Sequence, residues 1–142
     1  KHNIFIESPP NFPNSLEGTV FRITYRLKTN KPAKVLSVLG ETSNEFETVN
    51  SITFSAGEGD QLTLEPPTLN DFNKKVLGIW SRLQPIGENE YYLSFNITAD
   101  TLFQECIQYP LIVDPTVTAT MKSSHLTYER KNVQIAYAQS IS

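Results

Sequence analysis

With 142 residues, the chain has room for one core of ordinary size and no second complete domain, because single cores form at about 100–150 residues. A net charge of −3 gives no electrostatic reason to bind a phosphate backbone, which needs clustered Lys and Arg to displace counterions, so nucleic acid is excluded as an expected partner. Large residues, with eight Phe, six Tyr and one Trp, carry much of the 39% hydrophobic share, and nine Pro favour strands and turns over long helices.

HNIFI, residues 2–6, opens a series of short segments in which apolar and polar residues alternate. ESPPNFPNS interrupts the series, because Pro cannot donate to a sheet ladder. GTVFRITYRL, residues 18–27, is the strongest strand: Phe21, Ile23, Tyr25 and Leu27 share one face, and Arg22, Thr24 and Arg26 the other. After a TNKP turn, AKVLSVLG at 33–40 reads as one strand, apolar on both faces and suited to a central place in a sheet. Short strands are expected at Phe46–Val49, Ile52–Ser55 and Gln61–Leu64, with Gly57 and Gly59 in the intervening turn.

KVLGIWSRL, residues 75–83, reads as a single strand whose Trp80, between Ile79 and Leu83, belongs to the core. EYYLSFNITA, QECIQYPLIV, TVTATM and NVQIAYA complete the series. Segments of this size give about 8–10 strands and an all-β chain, an antiparallel β-sandwich in one domain spanning residues 1–142. Residues 116–142 either add strands or form a C-terminal extension. The alternation of Val133, Ile135 and Tyr137 favours strands, while HLTYERKNVQIAYAQ also admits a helix. VFRITYRL and VLGIWSRL share Val, Ile, Arg and Leu at the same relative positions; convergence of two half-buried strands explains this better than duplication, since short strands have few distinguishable designs.

Leu83, Pro85 and Gly87, followed by Tyr91 or Tyr92 and then Leu93, Phe95 and Ile97, resemble the turn and strand around the tyrosine corner of fibronectin type III and other immunoglobulin-like sandwiches. The resemblance implies immunoglobulin-like topology, with a Tyr hydroxyl bonded to upstream backbone and pinning a crossing between sheets. The immunoglobulin cysteine pair is missing. Period two sends Tyr91 inward with Leu93, Phe95 and Ile97, and Tyr92 outward with Ser94, Asn96 and Thr98. FSAGEGDQLTLEPP and LQPIGENEYYLSF are also similar to accessory β-modules of secreted glycan-processing and surface proteins, which implies context more than activity.

Little in the sequence points to catalysis. His2 lies at a chain end and His125 in a polar turn, and neither has acidic or Cys neighbours at metal-ligand spacing. No GxSxG or SxxK motif supplies a nucleophile. Cys106, the only cysteine, is expected as a packed, inert strand residue. The turn GEGD at 57–60 offers too few oxygen ligands for calcium and reads as a hairpin turn. No cofactor, metal or self-contained active site is expected.

Asn96-Ile97-Thr98 is the sole N-glycosylation sequon, and the alternation turns Asn96 outward as an accessible acceptor. Phe12, Phe72 and Tyr92 are the candidate surface contacts, although loop rings such as Phe12 and Phe72 more often fold back onto a sandwich. No apolar run approaches the roughly 18 residues that cross a bilayer, and no signal-peptide core follows Lys1, so a soluble chain without membrane insertion is expected.

The leading expectation is a noncatalytic interaction or architectural module of a secreted or cell-surface protein. Its partner would be another protein or a neighbouring domain, engaged through loops or a strand edge. One alternative is a carbohydrate-binding or accessory module of a glycan-processing protein, with aromatic rings as the glycan platform. A second is a cytoplasmic trafficking scaffold, which the absence of disulfides favours.

Overall fold

The computed structural model describes residues 3–10, 18–57, 59–115, 117–120 and 128–139, the last two ranges as backbone. In chain order the strands are β1 (Ile4–Ile6), β2 (Thr19–Thr29), β3 (Lys34–Ser37), β4 (Gly40–Thr42), β5 (Phe46–Thr48), β6 (Ile52–Ser55) and β7 (Gln61–Leu64). They continue as β8 (Thr68–Asn70), β9 (Val76–Leu77), β10 (Trp80–Gly87), β11 (Glu90–Thr98), β12 (Leu111–Asp114), β13 (Val117–Thr120) and β14 (Tyr128–Gln139). A single helical turn, α1 (Ala99–Leu102), follows β11, its first turn capped by Thr98 Oγ1, which accepts the Thr101 N–H at 3.2 Å.

These strands form three antiparallel sheets, none closed into a barrel: sheet I in the order β1-β12-β8-β9, sheet II in the order β14-β2-β11-β10-β5, and sheet III in the order β13-β7-β6-β3-β4. The architecture is an all-β sandwich. Sheet II is built on the alternation of β2. Phe21, Ile23, Tyr25 and Leu27 are buried and stand opposite Ile97, Phe95, Leu93 and Tyr91 of β11. Ile6, Leu69, Leu77, Leu111 and Val113 from sheet I join the same core, as do Val35, Ile52, Phe54, Leu62 and Leu64 from sheet III. Phe54 meets Tyr91 edge-on at a centroid separation of 5.1 Å, locking sheet III onto sheet II. Burying a side chain of this size stabilises by about 1.5–3 kcal/mol.

Among the described residues fourteen strands stand in place of the expected 8–10: two of the long segments are cut, and Thr68–Asn70 adds a strand that the alternation did not mark. AKVLSVLG ends as a strand at Ser37. The Ser37 hydroxyl accepts the Leu39 N–H at 3.1 Å and donates to the Gly40 carbonyl at 3.3 Å, and Gly40 at φ +114° reverses the chain into β4. Val38 and Leu39 are therefore left at an exposed hairpin tip. KVLGIWSRL changes sheets at Gly78: β9 pairs with β8 in sheet I, while β10 pairs with β11 in sheet II. Trp80 is not a core residue. Three positions separate it from the buried Leu83, so a strand must put them on opposite faces.

QECIQYPLIV is a strand only from Leu111 onward. Cys106 is exposed and has φ +71°, so it lies in an irregular turn and not in a packed strand. Residues 117–120 and 128–139 are strands, β13 on β7 and β14 on β2, so the described part of HLTYERKNVQIAYAQ, residues 128–139, is extended and not helical.

The Leu83–Ile97 segment is a hairpin of neighbouring strands in one sheet, with Gly87 opposite Glu90, and it makes no crossing for a tyrosine to pin. That role falls to Tyr109, where the chain passes from β11 and α1 to β12 in sheet I. Its half-buried hydroxyl donates to the Leu102 carbonyl at 2.6 Å, and burial raises its pKa. Among the described residues no helix is long and apolar enough to cross a membrane.

Candidate functional site

The outer face of sheet II is where the sequence placed Tyr92 and Asn96, and its side chains stand in cross-strand rows. Arg22, Asn96 and Trp80 form one row, Thr24, Ser94, Arg82 and Glu47 the next, and Arg26, Tyr92 and Gln84 a third. Within these rows Arg22 Nε donates to Asn96 Oδ1 at 2.6 Å, the Thr24 and Ser94 hydroxyls lie 3.1 Å apart, and Trp80 Nε1–H donates to Glu47 Oε1 at 3.3 Å. Arg82 bonds Glu45 and also donates to Gln84 Oε1 at 3.2 Å.

Charge pairing continues along the hairpin end, where Arg26 Nη2 lies 2.5 Å from Glu90 Oε2 and Lys28 Nζ 3.9 Å from Glu90 Oε1. Hydrogen bonding to Arg26 holds the Glu90 carboxyl below its usual range and raises the pKa of the guanidinium. Burial, reinforced by Arg82, pulls the Arg22 guanidinium down, although an arginine stays charged at any physiological pH. The face is thus a network that largely satisfies itself, which suits a scaffold surface better than a receptive one.

Asn96 corrects the sequence reading in one respect. It shares a face with Arg22, as the alternation implies, but it is 0% exposed. β11 is the central strand of sheet II, and Arg22 and Trp80 flank Asn96 at its own level on both sides. Its Nδ2, the atom a glycan would occupy, is sealed from solvent without a hydrogen-bond partner. Asn96 is not an accessible acceptor in the folded chain.

Tyr92 and Phe72 are not brought together. Tyr92 is half-buried on sheet II, whereas Phe72 is 65% exposed in the loop after β8 of sheet I. The expected return of Phe72 onto the sandwich fails because Asp71 organises the loop around itself. The buried Asp71 carboxylate accepts the Lys75 N–H at 2.8 Å and the Gln108 N–H at 3.1 Å, while the Phe72 N–H donates to the Gln108 carbonyl at 2.7 Å. Burial works to raise the Asp71 pKa, but backbone N–H groups of Lys75, Gln108 and Asn73 outweigh it and leave the pKa lowered. Phe12, His2 and His125 lie outside the described residues.

The GEGD turn has Gly57 and Gly59 at φ +80° and +85°, as a tight hairpin turn requires. Asp60 is buried and pairs with Lys31 Nζ at 3.0 Å, so its carboxylate is committed to tying this turn to the loop after β2. Among the described residues no three His, Cys, Asp or Glu side chains are grouped as a metal site.

Two features of the backbone were not anticipated. On the outer face of sheet I, register aligns Phe5, Ile112, Asn70 and Val76 in one row across all four strands, with Phe5 54% and Val76 76% exposed. At the edge of sheet II, the 12-residue β14 pairs with β2 alone among the described residues. The other edge strands are only two to four residues long. The register of β14 on β2 shifts between Asn132 and Gln134, then runs unbroken from Gln134 opposite Thr24 to Gln139 opposite Thr19. The sequence signal for this strand was the alternation of Val133, Ile135 and Tyr137; its position at an edge depends on pairing 100 residues away and has no local signature. The chain matches no protein-family model, no curated protein and no solved structure.

Proposed function

We propose that the chain is a noncatalytic interaction module of a secreted or cell-surface protein, and that it engages an extended segment of a protein partner by strand addition to β14. The observation that carries this reading is the length of the free edge: β14 runs for 12 residues and is paired on one side among the described residues. A long edge presents a row of backbone donors and acceptors, a template that proteins otherwise blunt with charges, bulges or short strands. The first half of β14 is blunted in this way, with Glu129, Arg130 and Lys131 followed by the register shift. The second half, Gln134–Gln139, has neither charge nor shift. The partner segment is accordingly placed along Gln134–Gln139, with main-chain hydrogen bonds supplying affinity.

A displayed library of extended peptides, selected on the folded chain, tests this. Of the neighbours Ala136 and Tyr137, one directs its N–H to β2 and the other away from it, because strand N–H groups alternate in direction. Replacing the outward one by Pro removes a donor to the partner and spares the β2 ladder. Of Ala136→Pro and Tyr137→Pro, the variant that keeps the melting temperature is therefore expected to lose the selected peptides. Peptides that bind that variant as well as the parent chain would overturn strand addition at this edge.

A further inference from the structure

A cavity of about 250 Å³ opens where the β3–β4 hairpin and the connection to β5 pass over the hairpin end of sheet II. Its floor is apolar: Val35, Leu83 and Pro85 line it, and Leu83 is fully buried. Thr42 at the end of β4 and Ser43 and Asn44 of the β4–β5 connection line it with uncharged polar groups, and Ser43 and Asn44 are exposed at the rim. The two charged residues of the lining, Lys34 and Glu41, neutralise each other at 3.7 Å.

Tyr91 also lines the cavity. The residue is 7% exposed, and its ring is fixed edge-on against Phe54. No hydrogen bond from its hydroxyl to another described residue is formed, and burial is the one influence on its ionisation. Burial alone raises its pKa, as expected of a phenol that no neighbouring group stabilises in either form. A hydroxyl held this deep without a protein partner is a donor and acceptor ready for a ligand in the cleft.

A peptide strand does not suit this cleft. β5 covers β10 only as far as Leu83, and beyond it Pro85 pairs with Tyr91 on the other side. The open edge here includes a residue with no N–H to offer, which disfavours strand addition.

We propose that the cleft binds one neutral sugar ring. At about 30 Å³ per water the space holds on the order of eight waters, enough for a single six-membered ring and too small for a drug-sized ligand. The aliphatic floor matches the C–H face of such a ring. Hydroxyl and amide groups that both donate and accept match its hydroxyls, and the paired charges leave no preference for an ion. The ring is either a free monosaccharide or the terminal residue of a glycan. None of the residues involved lies on β14, so the outcome here is independent of strand addition.

Titration of the isotope-labelled chain with methyl glucoside, methyl mannoside, methyl galactoside and N-acetylglucosamine, followed by amide chemical shifts, tests the proposal. At least one sugar is expected to shift Ala33–Val35, Glu41–Asn44 and Gly87–Tyr91, with a dissociation constant on the order of millimolar. Tyr91→Phe keeps the ring against Phe54 and is expected to weaken binding about three- to tenfold, the worth of one hydrogen bond. A trisaccharide ending in the same ring that binds more tightly assigns the site to a glycan terminus, and equal binding assigns it to the free sugar. The proposal is overturned if no sugar shifts these amides at tens of millimolar, or if Tyr91→Phe binds as well as the parent. It is also overturned if phenol or acetate shifts them while every sugar leaves them unmoved.

Discussion

On the outer face of sheet II, Arg22, Arg26 and Arg82 each bond a polar or acidic neighbour, and Asn96 is buried beneath that network. On the outer face of sheet I, the row Phe5, Ile112, Asn70 and Val76 crosses all four strands without a charge. Both sheets share the same core, so the difference arises on their outer sides. Sheet II has settled most of its face with side-chain partners, and β14 is the longest strand edge left unpaired among the described residues. Sheet I has short edges of three and two residues, β1 and β9, and exposes apolar surface instead.

Substitution separates the two. The largest effect is expected where both sheets depend on the common core: Phe54→Ala should lower stability by about 3–5 kcal/mol in urea unfolding, because it empties the contact that joins sheet III to Tyr91. Asn96→Ala should cost about 1–3 kcal/mol, since it removes the acceptor for Arg22 Nε at a fully buried position. A cost near zero would show that the polar network of sheet II adds nothing to the core beneath it. Tyr109→Phe should cost about 0.5–1.5 kcal/mol by freeing the Leu102 carbonyl at the crossing between sheets II and I. Val76→Lys, at an exposed position in the apolar row, should stay within about 0.5 kcal/mol of the parent. A larger loss would mean that this row is covered in the folded protein.

Asp71 adds a pH dependence in the loop beside sheet I. Its pKa is lowered in the folded chain, so its contribution is present above the unfolded carboxylate range and is lost as pH falls through the folded value. Asp71→Asn should therefore flatten the acid side of the stability profile between about pH 5 and pH 2 and leave its slope near neutrality unchanged.

Faces were more legible in the sequence than strand ends. Phe21, Ile23, Tyr25 and Leu27 fall inward as their alternation demands, and Tyr91 and Tyr92 divide as period two requires. Trp80 was misplaced by the apolar character of its neighbours, although its spacing from Leu83 already set the two on opposite faces. The break at Gly78 follows from pairing with strands far away in sequence, which no local pattern encodes. Asn96 illustrates the same limit. Alternation gives its direction, but its burial depends on Arg22 and Trp80, 74 residues before it and on the preceding strand. The exposure of Phe72 was likewise hidden in the hydrogen bonds of Asp71 to a segment 37 residues on.

Hydrogen exchange of the chain, alone and in complex with a peptide selected from the extended library, tests the central claim most directly. Strand addition expects new protection confined to Gln134–Gln139, with Tyr128–Asn132 unchanged. Protection appearing on the sheet I strands that carry Phe5, Ile112 and Val76, with β14 exchanging as it does in the free chain, would contradict it.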